Sequence, residues 1–314
     1  MQKFLPYLAV FLGASLYGTL SPVVKAAYDA SLTFSEVTFG QFWSAGLLLL
    51  IFYPLWARRF TESRKVGREH NVRFDVKTIL FLVALGVFGL SGVSLFYYGA
   101  LVSLPASLSL VLLFQFVWMG VLAERLFFRV PITKMRALAM LTVFAGDLLA
   151  MKVWAIELKG ATLEGLLFGL MAAVSYTFFL VGSAKIPETY PTYWRTLVMV
   201  LAGTVSTGLV LWVLFPGERL IPHDSHHLFY IFWLGLLGQV LPPLLFAWGA
   251  PRAGGMATTL ISSVELPVGL ILAVFWLKEE LLGWQWLGIV LILTGIVLAV
   301  RSQEREPGTA FDSI

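Results

Sequence analysis

The chain has 314 residues, 59% of them apolar and 13% charged, with a mean hydropathy of +0.85. A soluble domain is roughly half apolar and about a quarter charged, so this composition excludes an ordinary water-soluble fold and points to an integral membrane protein. The absence of cysteine removes disulfides, thiolate catalysis and cysteine-ligated metals.

Taken in order, roughly 5–27, 36–58, 78–100, 104–126, 135–153, 162–184, 193–215, 228–249, 254–277 and 283–301 are each apolar over the ~20 residues that a spanning helix needs. The first stretch, within MQKFLPYLAVFLGASLYGTLSPVVKAAY, is too long for a signal-peptide core and is followed by no small-residue cleavage site. It is expected to stay as a signal anchor. Short turns at Leu101–Ser103 and Pro251–Ala253 make the flanking helices antiparallel neighbours.

Basic residues mark the cytoplasmic side of a membrane protein. With the N-terminus inside, all the lysines and arginines fall in inside segments except Lys25, Lys152, Lys159, Arg219 and Lys278. The expected location is therefore the cytoplasmic membrane, with many passes and both termini in the cytoplasm. The pI near 9.3 reflects topology signals such as ARRFTESRKVGREHNVRFDVK, and no nucleic-acid partner is expected. Trp56, Trp154, Trp194, Trp276, Trp284 and Trp286 fall near helix ends, where aromatic rings anchor at the interface.

The second half repeats the first. GALVSLPASLSLVLLFQF from Gly99 aligns with GAPRAGGMATTLISSVEL from Gly249, which places Gln115 opposite Glu265. AGDLLA at Ala145 aligns with TGIVLA at Thr294, and the surroundings of Tyr17 resemble those of Tyr176. Residues 5–153 and 162–301 thus form two five-helix units, followed by a tail, 302–314, expected to be disordered. Five is odd, so the second unit enters the membrane inverted. The expected fold class is all-α integral membrane: ten transmembrane helices as two inverted five-helix repeats.

These stretches, together with KEELLGWQWLGIVLILTGIVL after Leu277, resemble the drug/metabolite transporter superfamily, EamA-like ten-helix type, over roughly residues 5–301. One departure is the acidic turn. Glu279 and Glu280 directly precede the tenth helix, whereas Glu124 is separated from the fifth by RLFFRVPITKMR. The resemblance implies export or exchange of small organic solutes.

Glu265 is the leading candidate for chemistry, because an ionised carboxylate at membrane depth needs a partner, water or a proton. Thr258, Ser262, Glu265 and Gly269 share one helix face. Pro267 lacks an N–H, so the carbonyl of Ser263 is expected to be free beside the carboxylate, as a site for a cation, amine or proton. In the eighth span Pro242 and Pro243 are expected to interrupt the helix and free the carbonyls of Gly238 and Gln239. Gln239 and Gln115 offer amides for polar substrate groups, or for bonds between helices. Tyr17 and Tyr176, on faces with small residues, are candidates for substrate contact or packing. Asp147 reads as a wetted carboxylate near the outer end of the fifth helix, with a proton relay as the alternative. Tyr97, Tyr98, Trp118 and Trp248 could wall a ring-bearing substrate. His223, His226 and His227 do not have the spacing of a standard zinc motif.

No phosphate-binding G-x-x-x-x-G-K-[ST], G-x-S-x-G or H-E-x-x-H occurs. No cofactor or metal is expected, and transport would be secondary. The expectation is a secondary transporter of a small organic metabolite or drug, working by alternating access, with Glu265 as the proton- or amine-binding group. The alternative is a membrane enzyme or lipid-handling protein with a buried polar site. The expected partners are a small-molecule substrate and the lipid bilayer. A homodimer stays open, because Gly254, Gly255 and Ala257 suit packing within one chain or between two.

Overall fold

The computed structural model describes residues 2–65, 75–156, 161–222, 224–277 and 280–305. Among the described residues 84% are helical and none is in a strand. Among the described residues, ten helices are long and apolar enough to cross a membrane: α1 (Leu5–Asp29), α2 (Phe34–Trp56), α3 (Val76–Ser103), α4 (Ala106–Phe128), α5 (Lys134–Ala155), α6 (Leu163–Ser183), α7 (Thr192–Leu214), α8 (Ser225–Ala253), α9 (Gly255–Leu272) and α10 (Gly283–Gln303). Helical backbone continues past three of these limits, to Lys65, Leu277 and Arg305. Residues 302–305 of the expected tail are therefore helical, and 306–314 lie outside the described residues.

The two tight turns lie a little later than the sequence reading placed them. Leu104 is extended (φ −128°, ψ 151°) because it precedes Pro105, whose ring disfavours helical geometry in the residue before it. Gly254 alone joins α8 to α9 at φ +82°, a backbone conformation that glycine adopts without strain.

The helices pair across the repeats as a two-fold relation between them requires. α1 packs on α8 as α6 packs on α3, and α1 meets α9 as α6 meets α4. α2 lies on α7, and α5 on α10. The last pair is joined through small residues: a side chain at Gly146 would collide with the carbonyl of Gly288, and one at Gly295 with the backbone of Val143 and Ala139. Hydrocarbon provides little hydrophobic drive between helices, so close backbone approach through small residues supplies the packing. Phe42, Phe114, Phe116, Phe179 and Phe246 fill the centre, while Ile51, Phe88, Leu209, Trp212 and Phe275 point outward. An apolar outer surface is what a lipid environment requires.

Irregularities are also paired. α3 and α8 each contain a π-helical turn, at Leu85–Ser91 and Gly235–Val240. α4 and α9 each break between two α-helical halves, at Phe114–Gln115 and Ser263–Val264. α1 also bends, at Thr19, whereas its repeat mate α6 is continuous. The π turns do not need proline, since α3 has none there. Both follow a glycine pattern that lets a neighbouring backbone come close: Gly86 lies against the carbonyl of Met199, and Gly235 against Ser44 and Gln41. Pro242 and Pro243 fall in the first turn after the π turn, and the chain stays helical through them. The expected interruption of α8 is therefore a local widening, carried by a bond from the Leu241 N–H to the Leu236 carbonyl.

Candidate functional site

The break in α9 sets the position of Glu265. Before it, the hydroxyls of Thr259 and Ser262 donate back to the carbonyls of Gly255 and Thr258, at 2.9 and 2.8 Å. Such back-bonding weakens and bends a helix. At the break the backbone tightens, with N–H groups of Ser263, Val264 and Leu266 donating to the carbonyls of Leu260, Ile261 and Ser263. The Ser263 carbonyl is thus not free, as the lost N–H of Pro267 had implied; the Leu266 N–H reaches it at 3.2 Å. Glu265 opens the second half-helix, Glu265–Leu277, and the partial positive charge of a helix N-terminus favours a carboxylate there.

Tyr176 of α6 donates its hydroxyl proton to Glu265 Oε2 at 3.2 Å. Its ring meets Tyr17 of α1 edge-on at 6.1 Å and Phe116 of α4 at 4.7 Å. Tyr17 stacks on Phe246 of α8 at 5.9 Å, and Phe246 meets Phe179 at 5.6 Å. Four helices thus build an aromatic wall on one side of the acid. On the other side Gly18, at the bend of α1, lies against the backbone carbonyl of Glu265. The bend of α1 and the break of α9 therefore touch. Glu265, Tyr17 and Tyr97 each keep part of their surface accessible.

The remaining candidates distribute around this centre. Ser262 and Thr258 are fully buried one and two turns before Glu265, and the Thr258 hydroxyl oxygen has no hydrogen-bond partner. Gln239 is buried in the π turn of α8, its Oε1 also without a partner. Gln115 sits at the break of α4, but its amide is used locally. Nε2 donates to the Val111 carbonyl at 2.9 Å, and Oε1 accepts from Trp118 Nε1 at 2.7 Å. Tyr97 and Tyr98 lie side by side at 5.9 Å, whereas the Trp248 ring carries the Arg252 guanidinium at 4.8 Å. Trp118 and Trp248 are thus engaged elsewhere and do not extend one wall with the tyrosines.

Gln41 is a buried polar residue that sequence reasoning missed. It donates from Nε2 to Ser94 Oγ at 3.3 Å, joining α2 to α3 beside the π turn of α8. A signal was present, because Thr38, Gln41 and Ser44 recur every three residues in an apolar span, and all three are buried.

Asp147 corrects its expected place in water. It is 0% exposed, faces Ser263 at the break of α9, and makes no closed hydrogen bond on either carboxylate oxygen. The reading as a wetted interfacial acid failed because distance along a helix says nothing about which neighbour covers that face.

The small residues Gly254, Gly255 and Ala257 pack within the chain. Gly254 lies near Gln303, Gly255 against the Glu124 carboxylate, and Ala257 is buried. Of the histidines, His227 Nε2 lies 3.0 Å from the Ala30 carbonyl oxygen. His70 and His223 lie outside the described residues, as does Glu279.

Residues 4–152 and 163–301 each match the EamA-like transporter family. Over 146 residues the chain is 27% identical to an uncharacterized transporter, YwfM, of Bacillus subtilis (strain 168). That match covers 46% of this chain and spans about half the length of the relative, 48%. A solved crystal structure superposes with a TM-score of 0.72 at 17% identity, covering 96% of this chain and 98% of that one, a likeness of fold.

Proposed function

Since the chain belongs to the EamA-like transporter family, we propose that it is a secondary transporter that exports a small organic solute bearing a cationic amine, driven by exchange of a proton at Glu265. The supporting observation is the Glu265 carboxylate, hydrogen-bonded by Tyr176 and walled by Tyr17, Phe116 and Phe246, at the place where the bend of α1 meets the break of α9. A carboxylate attracts an ammonium, and aromatic faces add cation–π attraction. The same carboxylate cannot hold a proton and pair fully with an ammonium, so one displaces the other. Alternating access then consists of the two repeats rocking about this centre, with the π turns of α3 and α8 as compliant points. The asymmetry of lysine and arginine supports a cytoplasmic location for both termini in the cytoplasmic membrane.

A membrane enzyme would require paired catalytic groups at membrane depth, and Asp147 does interact electrostatically with Glu265. Asp147 is wholly enclosed, however, and cannot touch a substrate in this conformation, which favours the transporter.

The test compares culture medium from bacteria expressing the wild type or Glu265→Gln at matched membrane levels. A basic solute enriched outside with the wild type alone is expected. Identical media, with no uphill flux of amines into inverted vesicles in response to a proton gradient, would overturn the reading.

A further inference from the structure

The site leaves one buried titratable group unused. Asp147 of α5 is fully enclosed, and so is the Ser263 side chain it faces; neither the Asp147 carboxylate oxygens nor Ser263 Oγ has a closed hydrogen bond. Among the described residues, the other titratable group with which Asp147 interacts is Glu265, two residues beyond Ser263. α10, which packs along α5, lays Gly288 and Ile292 against the neighbouring Gly146 and donates Gln285 Nε2 to the Ala150 carbonyl at 3.2 Å, so it brings an amide and no charge to this stretch of α5. A bare carboxylate in such surroundings is strongly disfavoured. A hard metal cation needs about six oxygen ligands, and three are present here. A proton needs one, and it turns the acid into a donor for the serine oxygen.

We propose that Asp147 is a second proton-binding site of the transporter, inaccessible to substrate, and that it exchanges its proton with Glu265 past Ser263. This rests on the reading of Glu265 as the acid that meets substrate. When an amine displaces the proton from Glu265, Asp147 holds a proton in reserve. In the transfer the Asp147 O–H bond breaks and an O–H bond forms on Glu265. If Ser263 carries the proton, its oxygen accepts one from Asp147 as its own hydroxyl proton leaves for Glu265. Asp147 ends as a carboxylate, Glu265 as a carboxylic acid, and Ser263 unchanged. The break of α9 carries Ser263 directly before Glu265's half-helix and against Asp147 of α5, so a movement of either half-helix alters the path between the acids.

The test is infrared spectroscopy of the purified full-length chain in lipid, with the proton itself as probe, titrated by pH and exchanged with deuterium. The wild type is expected to show a carboxylic-acid carbonyl band that Asp147→Asn removes and Ser263→Ala shifts, because the acid then loses its acceptor. In Glu265→Gln the midpoint at which this band disappears is expected to move. A spectrum unchanged by Asp147→Asn would overturn the proposal, as would a midpoint indifferent to Glu265→Gln. Should Asp147→Asn fail to fold, the band position in Ser263→Ala decides: unshifted, it overturns the proposal. The spectrum reads Asp147 whether or not any solute moves. An Asp147 band in a protein without amine flux would thus overturn the transport reading and leave the proton site standing.

Discussion

Lys185 Nζ lies 3.1 and 3.2 Å from the two carboxylate oxygens of Glu124, so the turn after α6 is tied to the end of α4. Glu124 is 2% exposed, and its carboxylate lies against Gly255, the first residue of α9. Arg136 of α5 adds a favourable charge, and the Lys185 ammonium rests over the Phe128 ring at 4.1 Å. One carboxylate thus joins both repeats at the end of the bundle that carries the termini.

Breaking this pair should destabilise that end. Lys185→Met leaves a buried carboxylate short of its main partner, so it should cost more than Glu124→Gln, which removes the buried charge and leaves the more exposed Lys185 unpaired. The double variant should recover part of the loss, with a coupling of roughly 0.5–3 kcal/mol. Thermal unfolding of the four proteins in lipid nanodiscs measures it; additive losses would contradict the pair.

Tyr176→Phe removes the donor to Glu265 and keeps the ring against Tyr17 and Phe116. A hydrogen bond to a charged group contributes about 1.5–3 kcal/mol. The apparent affinity of amine transport should therefore change about tenfold or more, while unfolding temperature changes little. Equal flux curves for the two proteins would remove Tyr176 from the site.

Gln115→Met should be mild, although Gln115 is the repeat mate of Glu265. Its amide bonds stay with Val111 and Trp118, so the loss is about 0.5–1.5 kcal/mol of stability. Flux should persist in this variant and vanish in Glu265→Gln. Loss of flux in both would show that the two mates act as equals.

Glycine substitutions should separate close helix crossings from looser ones. A methyl at Gly86 would meet the Met199 carbonyl, whereas one at Gly46 would make ordinary contact at 3.4 Å with Leu201 and Thr204. Overpacking costs about 1–3 kcal/mol, so Gly86→Ala should lower the unfolding temperature and Gly46→Ala should not. Equal unfolding temperatures would refute the close crossing of α3 and α7.

The residues that resisted reading from sequence are those whose meaning depends on rotation about a helix axis. Tyr17 and Tyr176 were visible as repeat mates, yet only Tyr176 reaches Glu265 with its hydroxyl. Pro267 was visible as a missing donor, but the turn tightened and Leu266 supplied the bond. Gln41, one of the buried polar residues along α2, gained its partner only when α3 and α8 closed over it.

The sequence by itself determined the ten spans and their repeat, because hydrocarbon excludes charge and unpaired backbone so strongly that local composition decides where a chain crosses. The tertiary structure alone decided that Lys185 meets Glu124, that Tyr176 bonds Glu265, and that Asp147 is sealed against Ser263. Those pairings join residues far apart in the chain, and they follow from the rotation and crossing of packed helices, which composition does not encode.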